Sequence, residues 1–322
     1  MILKPTSSFS LNFKLCILNL ELTQCTLCHR ECGVNRITGP FGFCKSDADF
    51  NISSICVHKG EEPVISGKKG ICNIFFPHCN LQCIYCQNHD ISRNSVATIQ
   101  ESLSLETVID RICETLEQTE NIIGFVSPSH YIPQMVSIIE GLHKAGKRPV
   151  VVYNSNGYDK AETICMLEGL IDVYLPDFKY MDSRLAFEYS QARNYPEIAL
   201  AALKEMYRQK GSTLIVNNDG LAESGIIIRH LVLPGAIEQS IEVLRLIAEE
   251  ISTRMHLSLM AQYYPTKTVA THPVLNRTIT AAEYQRVVDA FNELGFSKGW
   301  IQDLESHDSF RPDFSREQPF EI

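Results

Sequence analysis

The stretch Ile71-Cys72-Asn73-Ile74-Phe75-Phe76-Pro77-His78-Cys79-Asn80-Leu81-Gln82-Cys83-Ile84-Tyr85-Cys86-Gln87-Asn88 decides how the chain is read. The run Ile71–Phe76, stopped by Pro77, predicts a buried strand. Cys79, Cys83 and Cys86 follow, separated by three residues and then by two, so one short loop aims three thiolates at a single cluster. Three donors serve three irons of a 4Fe-4S cube and leave the fourth iron open, and an open coordination position is where chemistry happens. Zinc sites usually show two separated cysteine pairs, and bacterial ferredoxin runs begin with two-residue gaps and end in Cys-Pro. Neither pattern fits.

Outward from this loop, short β-rich runs alternate with amphipathic stretches. Strands are predicted at Ile71–Phe76, Ile122–Val126, Val150–Tyr153, Val173–Leu175, Ile226–Val232 and Leu257–Gln262. Helices are predicted at Leu103–Leu116, Gln134–Ala145, Ala161–Leu170, Glu197–Lys210, Ile237–Ile251 and Ala281–Leu294. Continuous apolar strands alternating with helices argue for an α/β fold, a parallel sheet covered by helices, with about six βα units rather than the eight of a full barrel. Ligands in such folds bind at the carboxyl ends of the strands, and the cysteine loop follows the first strand.

The 322 residues are 44% hydrophobic, which is enough for a sizeable core. A net charge of -9 and a pI of about 5.6 argue against a general electrostatic grip on nucleic acid or anionic lipid. A secreted disulfide scaffold with twelve cysteines would be shorter and would open with a signal peptide. Met1–Asn12 holds one lysine and no apolar core, and the apolar segment Leu15–Leu22 is broken by Asn19 and Glu21. No run approaches the roughly 20 apolar residues of a membrane span. The expectation is a cytoplasmic protein whose thiols are reduced or metal-bound, with neither nucleic acid nor membrane as partner.

The cysteine spacing, with Tyr85 just before the third cysteine and a strand just before the loop, resembles the radical S-adenosylmethionine superfamily. The resemblance implies a partial (βα)6 TIM-like barrel and a 4Fe-4S cluster on Cys79, Cys83 and Cys86. It implies that the fourth iron is chelated by the amino and carboxylate groups of S-adenosylmethionine, which is then cleaved to methionine and a hydrogen-abstracting 5′-deoxyadenosyl radical. An electron donor of flavodoxin or ferredoxin type goes with that chemistry.

The other strand ends supply the remaining candidates. Ser127-Pro128-Ser129-His130-Tyr131 stands where many members carry a Gly-Gly-Glu-type motif for the amino group of the cofactor; this chain lacks the motif, and Ser127, Ser129 or backbone carbonyls are the substitutes, unless the segment is a helix-entry turn. Asn156 and Gly157 match an Asn-Gly turn of activating enzymes near ribose and methionine, or are a plain turn. Asp177-Phe178-Lys179 resembles the Asp-Leu-Lys element of glycyl-radical activating enzymes, which places a methionyl carboxylate on Lys179, with Asp177 orienting it or a ribose hydroxyl; the alternative is a surface ion pair. Arg229, followed by Pro234-Gly235, resembles the Arg-x-x-x-x-Pro-Gly element; a cation inside a barrel must face a partner, for which the carboxylate of S-adenosylmethionine is the candidate, and the alternative is an outward-facing, solvated residue. Alternation alone does not decide which way Arg229 points. Gln262-Tyr263-Tyr264-Pro265 receives no role.

A head containing Cys25, Cys28, Cys32 and Cys44 precedes all this, with gaps of two, three and eleven residues and little apolar periodicity. Zinc, an auxiliary Fe-S cluster or four unrelated buried thiols all suit that pattern. With the later motifs, the head resembles a subfamily related to pyruvate formate-lyase activating enzyme. Cys16, Cys56, Cys72, Cys113 and Cys165 have no partner spacing and are read as structural. The chain divides into a cysteine-rich extension (1–65) with a candidate second metal site, a radical S-adenosylmethionine core (66–300) and a polar tail (301–322). Three functions compete: activation of a glycyl-radical enzyme by hydrogen abstraction from its glycine, radical modification of another protein or a small molecule, and a non-catalytic Fe-S or zinc protein.

Overall fold

The computed structural model describes residues 22–39, 41–308 and 311–320. Cys16 and positions 15–21 of the apolar N-terminal segment lie outside the described residues. The strands are β1 (Phe50–Ile52), β2 (Ser54–His58), β3 (Ile71–Phe75), β4 (Glu101–Leu103), β5 (Ile122–Val126), β6 (Val150–Ser155), β7 (Val173–Pro176), β8 (Ile215–Val216), β9 (Ala222–Leu231), β10 (His256–Met260) and β11 (Gly299–Ile301).

Every residue of β3 is buried, as befits a strand covered on both faces. The main sheet runs β11-β10-β9-β7-β6-β5-β3-β2. All its neighbours pair in parallel except β2, which lies antiparallel on β3. Among the described residues β2 and β11 do not pair, so the sheet stays open, as a partial TIM-like barrel does. Six of the parallel strands are those expected from sequence. The seventh, β11, is short, and Gly299 (φ 117°) lets it close on β10, because a Cβ there would collide with the Leu257 backbone.

The covering helices follow from capping and period. Ser104 accepts from the Thr107 amide (3.1 Å) to start Leu105–Leu116, whose Val108, Ile109, Ile112 and Leu116 turn inward. Thr280 and Glu283 form a reciprocal capping box at the start of Ala281–Glu293. The helix expected to reach Leu170 stops at Met166, and the chain then turns at Gly169 (φ 81°). Sequence periodicity did not show the eight-residue helix Ser183–Ser190, because it is barely two turns long and its apolar residues do not keep to one face: Ala186 and Tyr189 are buried while Phe187 is exposed. Asp182 starts it by accepting from Arg184 N (2.6 Å) and Leu185 N (3.1 Å), and it delivers Ser190 to the site described next. The antiparallel ribbon β1–β4 and hairpin β8–β9 also went unpredicted. Near the C-terminus, Phe314 and Phe320 pack their rings 5.2 and 5.8 Å from that of Phe75, along the side of the sheet where β2 forms the edge.

Candidate active site

A cavity of about 470 Å³ lies at the carboxyl ends of the parallel strands. Cys79, Cys83 and Cys86 line it together with Asn156, Asp177, Lys179 and Arg229. Among the described residues no fourth cysteine lines this cavity.

The loop is fixed by hydrogen bonds from outside itself. Ile84 N donates to Tyr189 O (2.9 Å), Asn80 Nδ2 to Tyr158 O (2.9 Å), and Asn94 Nδ2 to Cys79 O (2.8 Å). Each sulfur also receives a donor. Leu81 N (3.3 Å) and Asn156 Nδ2 (3.4 Å) point at Cys79 Sγ, Ser190 Oγ at Cys83 Sγ (2.9 Å), and Ser92 Oγ at Cys86 Sγ (3.2 Å). Such donors favour the thiolate over the thiol and orient a ligand before it binds metal. The Ser190 hydroxyl is the last of a buried chain, since Tyr180 Oη lies 2.8 Å from Ser190 Oγ and 2.5 Å from Tyr85 Oη.

Burial pushes the Cys79 thiol up to about 12, with Cys83 adding to the rise. Burial likewise pushes Cys83 up to about 11 against the lowering pull of Lys179, and it raises Cys86. Three neighbouring thiols in this cavity lose their protons together only when a cation replaces them. The donor set fits an iron-sulfur cluster in ligand type and number, three sulfurs each with a hydrogen-bond donor; among the described residues no three ligating groups converge as they would round a single ion.

Lys179 is paired with Asp177, and burial, which disfavours its ammonium, is outweighed by Asp177 and by the Cys83 sulfur, so its pKa lies above the ordinary value. Its positive charge therefore stands beside the cysteine loop. Arg229 is only 8% exposed, and its charge is already taken. Nε donates to Glu62 Oε1 (2.9 Å), and Nη2 pairs with both Glu61 and Glu62. Burial opposes the Glu61 carboxylate, but Arg229 overcomes this and brings its pKa down to about 2; Asn73 Nδ2 adds a bond of 2.8 Å. Arg229 therefore faces two carboxylates of the chain itself on the cavity wall, where the sequence reading offered the carboxylate of S-adenosylmethionine.

The structure brings Asn156, Asp177, Lys179 and Arg229 to the same wall as the three cysteines, but it does not bring Gly157 there. Gly157 (φ 84°) lies behind the wall, where a Cβ would strike the Asp177 carbonyl and the Tyr195 hydroxyl. That hydroxyl donates to Asn156 O (3.0 Å) or Asp177 O (3.1 Å) and accepts from Lys179 N (3.1 Å), tying the ends of β6 and β7 together. Ser127, in a left-handed conformation (φ 48°), and Asn154 reach the wall, whereas Ser129 does not. Sequence reasoning missed Glu61, Glu62, Ser92 and Ser190. Two adjacent acids before Pro63, set against one arginine in an apolar strand, were the available signal for the first pair. The four head cysteines share a second, much smaller cavity. Cys56 and Cys72 are buried, Cys113 is partly buried and Cys165 is exposed. No helix among the described residues is long and apolar enough to cross a membrane.

No protein-family model matches the chain. Over 271 residues it is 28% identical to an uncharacterized protein of Methanocaldococcus jannaschii, covering 83% of this chain and 73% of that protein. Similar solved structures include SuiB of Streptococcus suis bound to S-adenosylmethionine, at TM-score 0.47 and 13% identity over 71% of this chain. The chain spans about half, 51%, of that structure's length. A domain of pyruvate-formate lyase-activating enzyme from Bacteroides vulgatus gives TM-score 0.39 and 14% identity, covering 53% of this chain and 93% of the domain. The structure of anSMEcpe with bound AdoMet gives TM-score 0.45 and 12% identity, covering 74% and 62%.

Proposed function

We propose that this chain is a radical S-adenosylmethionine enzyme. The observation that carries the proposal is one loop placing Cys79, Cys83 and Cys86 on the wall of a single cavity, with a hydrogen-bond donor on every sulfur and, among the described residues, no fourth cysteine there. Cys79, Cys83 and Cys86 would hold a 4Fe-4S cluster, which would supply the electron for reductive cleavage of S-adenosylmethionine and so for hydrogen abstraction.

The surrounding side chains divide the remaining work. The Lys179 ammonium, oriented by Asp177, is the cation available to a methionyl carboxylate, because Arg229 is neutralised by Glu61 and Glu62. Asn154 and Ser127 offer uncharged groups for ribose and amino groups, in place of the absent Gly-Gly-Glu element, while Asn156 commits its amide to Cys79 Sγ and Asn80 Oδ1 and so holds the cysteine loop beside them. The Tyr85–Tyr180–Ser190 chain adds a polarisable hydrogen bond behind Cys83. An electron donor of flavodoxin or ferredoxin type is proposed as one partner. A glycine of a glycyl-radical enzyme is proposed as the hydrogen source, on the resemblance at Asn156-Gly157, Asp177-Phe178-Lys179 and Arg229 to Gly235.

Anaerobic reconstitution with iron and sulfide, followed by dithionite and S-adenosylmethionine, tests the reading. Chromatography should show 5′-deoxyadenosine from the wild type and none from Cys83→Ala. A fully loaded wild type that forms none overturns the enzymatic reading and leaves an electron carrier or scaffold.

A further inference from the structure

The head cysteines are not needed for the chemistry above, yet the fold gathers them. Cys25, Cys28, Cys32 and Cys44 line one cavity of about 10 Å³, together with Arg30 and Arg36. Two loops meet there. Gly33 N donates to Cys25 O (2.9 Å) and Glu31 N to Cys28 O (3.0 Å), which curls 25–33 round the cavity. The turn at Gly42 closes the other side; a Cβ on Gly42 would stand 2.8 Å from Cys32 Sγ, so only glycine allows this approach.

Backbone amides already face the sulfurs. Those of Leu27 and Arg30, each two residues on, address Cys25 and Cys28, and Phe43 N donates to Cys32 Sγ (3.3 Å). Donors of this kind stabilise anionic sulfur rather than neutral thiols. A second observation is independent of the cysteines. Arg36 is 1% exposed, and the guanidinium bonds named for it go to backbone carbonyls: Ser46 O (3.2 Å), Asp47 O (3.0 and 2.5 Å) and His130 O (2.6 Å). Arg30 Nη2 is buried without a partner. Arg36 is the buried cation of the pair, and its charge also acts on Cys25; Arg30 is partly buried, with its guanidinium stacked 3.8 Å from the Phe43 ring, and a buried cation needs a counter-charge. Four thiolates round a divalent ion carry a net charge of minus two, which these two cations balance.

We propose that Cys25, Cys28, Cys32 and Cys44 form a tetrathiolate site for a single zinc ion, balanced by Arg30 and Arg36, which clamps the loop bearing Cys79, Cys83 and Cys86. The space enclosed by the four side chains, about 10 Å³, is that of one small ion. A lone ion held by four sulfurs in a tetrahedron is the preference of zinc. As they stand the sulfurs do not converge on one point, and rotation about each Cα–Cβ bond is the movement that binding requires. The clamp is direct on two sides. Arg30 Nε donates to Asn80 O (2.9 Å), and Asn94 Nδ2 donates to both Phe43 O (2.9 Å) and Cys79 O (2.8 Å).

Metal analysis of the full chain, purified anaerobically, tests the site. The wild type should hold about one zinc beside about four irons, and its zinc absorption edge should report four sulfur neighbours at about 2.3 Å. Cys83→Ala should lose iron and keep zinc, which separates this site from the proposed active site. The double variant Cys28→Ser/Cys32→Ser should lose zinc and exchange amide hydrogens faster across residues 79–86. Absence of zinc, nitrogen or oxygen ligands on it, about eight irons per chain, or zinc unaffected by the double substitution would each overturn the proposal. The wild-type edge measurement decides even where the double variant fails to fold.

Discussion

Replacing Ser190 with alanine removes a hydroxyl that donates to Cys83 Sγ, at 2.9 Å and out of contact with solvent. Hydrogen bonds onto charged groups contribute about 1.5–3 kcal/mol, and one-electron reduction spreads one further negative charge over the cluster. If roughly a third of that strengthening falls on one sulfur, the reduced state loses about 0.5–1 kcal/mol, or about 20–40 mV for a one-electron couple. The midpoint potential of Ser190→Ala should therefore fall by about 20–40 mV in a potentiometric titration followed by EPR. Tyr180→Phe, one hydroxyl further back, should shift it in the same direction by less. No fall, or a rise, in Ser190→Ala with the cluster intact would refute the view that these donors tune the site.

Gly157→Ala drives a Cβ into the Asp177 carbonyl and Tyr195 hydroxyl at a positive φ, and should destabilise the fold by about 3 kcal/mol or more, seen as a drop in melting temperature with reduced iron retention. Arg229→Met leaves Glu61 and Glu62 buried without their cation, and should cost about 3–5 kcal/mol in urea unfolding at neutral pH. The pH dependence carries its own test. Burial brings His230 down to about 4, while its Nδ1 bonds Phe178 O at 2.7 Å. The folded pKa lies below the unfolded one, so the unfolded chain binds the extra proton; this contribution is complete above about pH 6.5 and is lost as pH falls toward the folded value. At pH 5 the loss is about 2 kcal/mol, and His230→Asn, which keeps an amide donor for Phe178 O, should flatten the fall in stability between pH 7 and 5 by about that amount.

The parallel strands were legible because β3, β5, β6 and β7 are short, apolar and flanked by turn residues, a pattern that burial on both faces imposes. The metal loop was legible because its ligands lie within eight residues of one another. Partners that meet only through the fold were not. Ser190 reaches Cys83 across 107 positions, and Glu62 reaches Arg229 across 167. Neither residue carries a local motif, and an arginine in a strand announces that it needs a counter-charge without saying where that charge lies. β11 was hidden for a different reason: its pairing depends on the missing side chain of Gly299, which apolar periodicity does not register.

Mössbauer spectroscopy of the protein loaded with ⁵⁷Fe, with and without S-adenosylmethionine, tests whether three cysteines leave one iron of a cube open. The spectrum should be that of a 4Fe-4S cluster in which about one iron in four changes on adding the cofactor, because three cysteines leave one iron to it. A spectrum without the cube, or one in which every iron is already held by protein and none responds, would contradict this expectation.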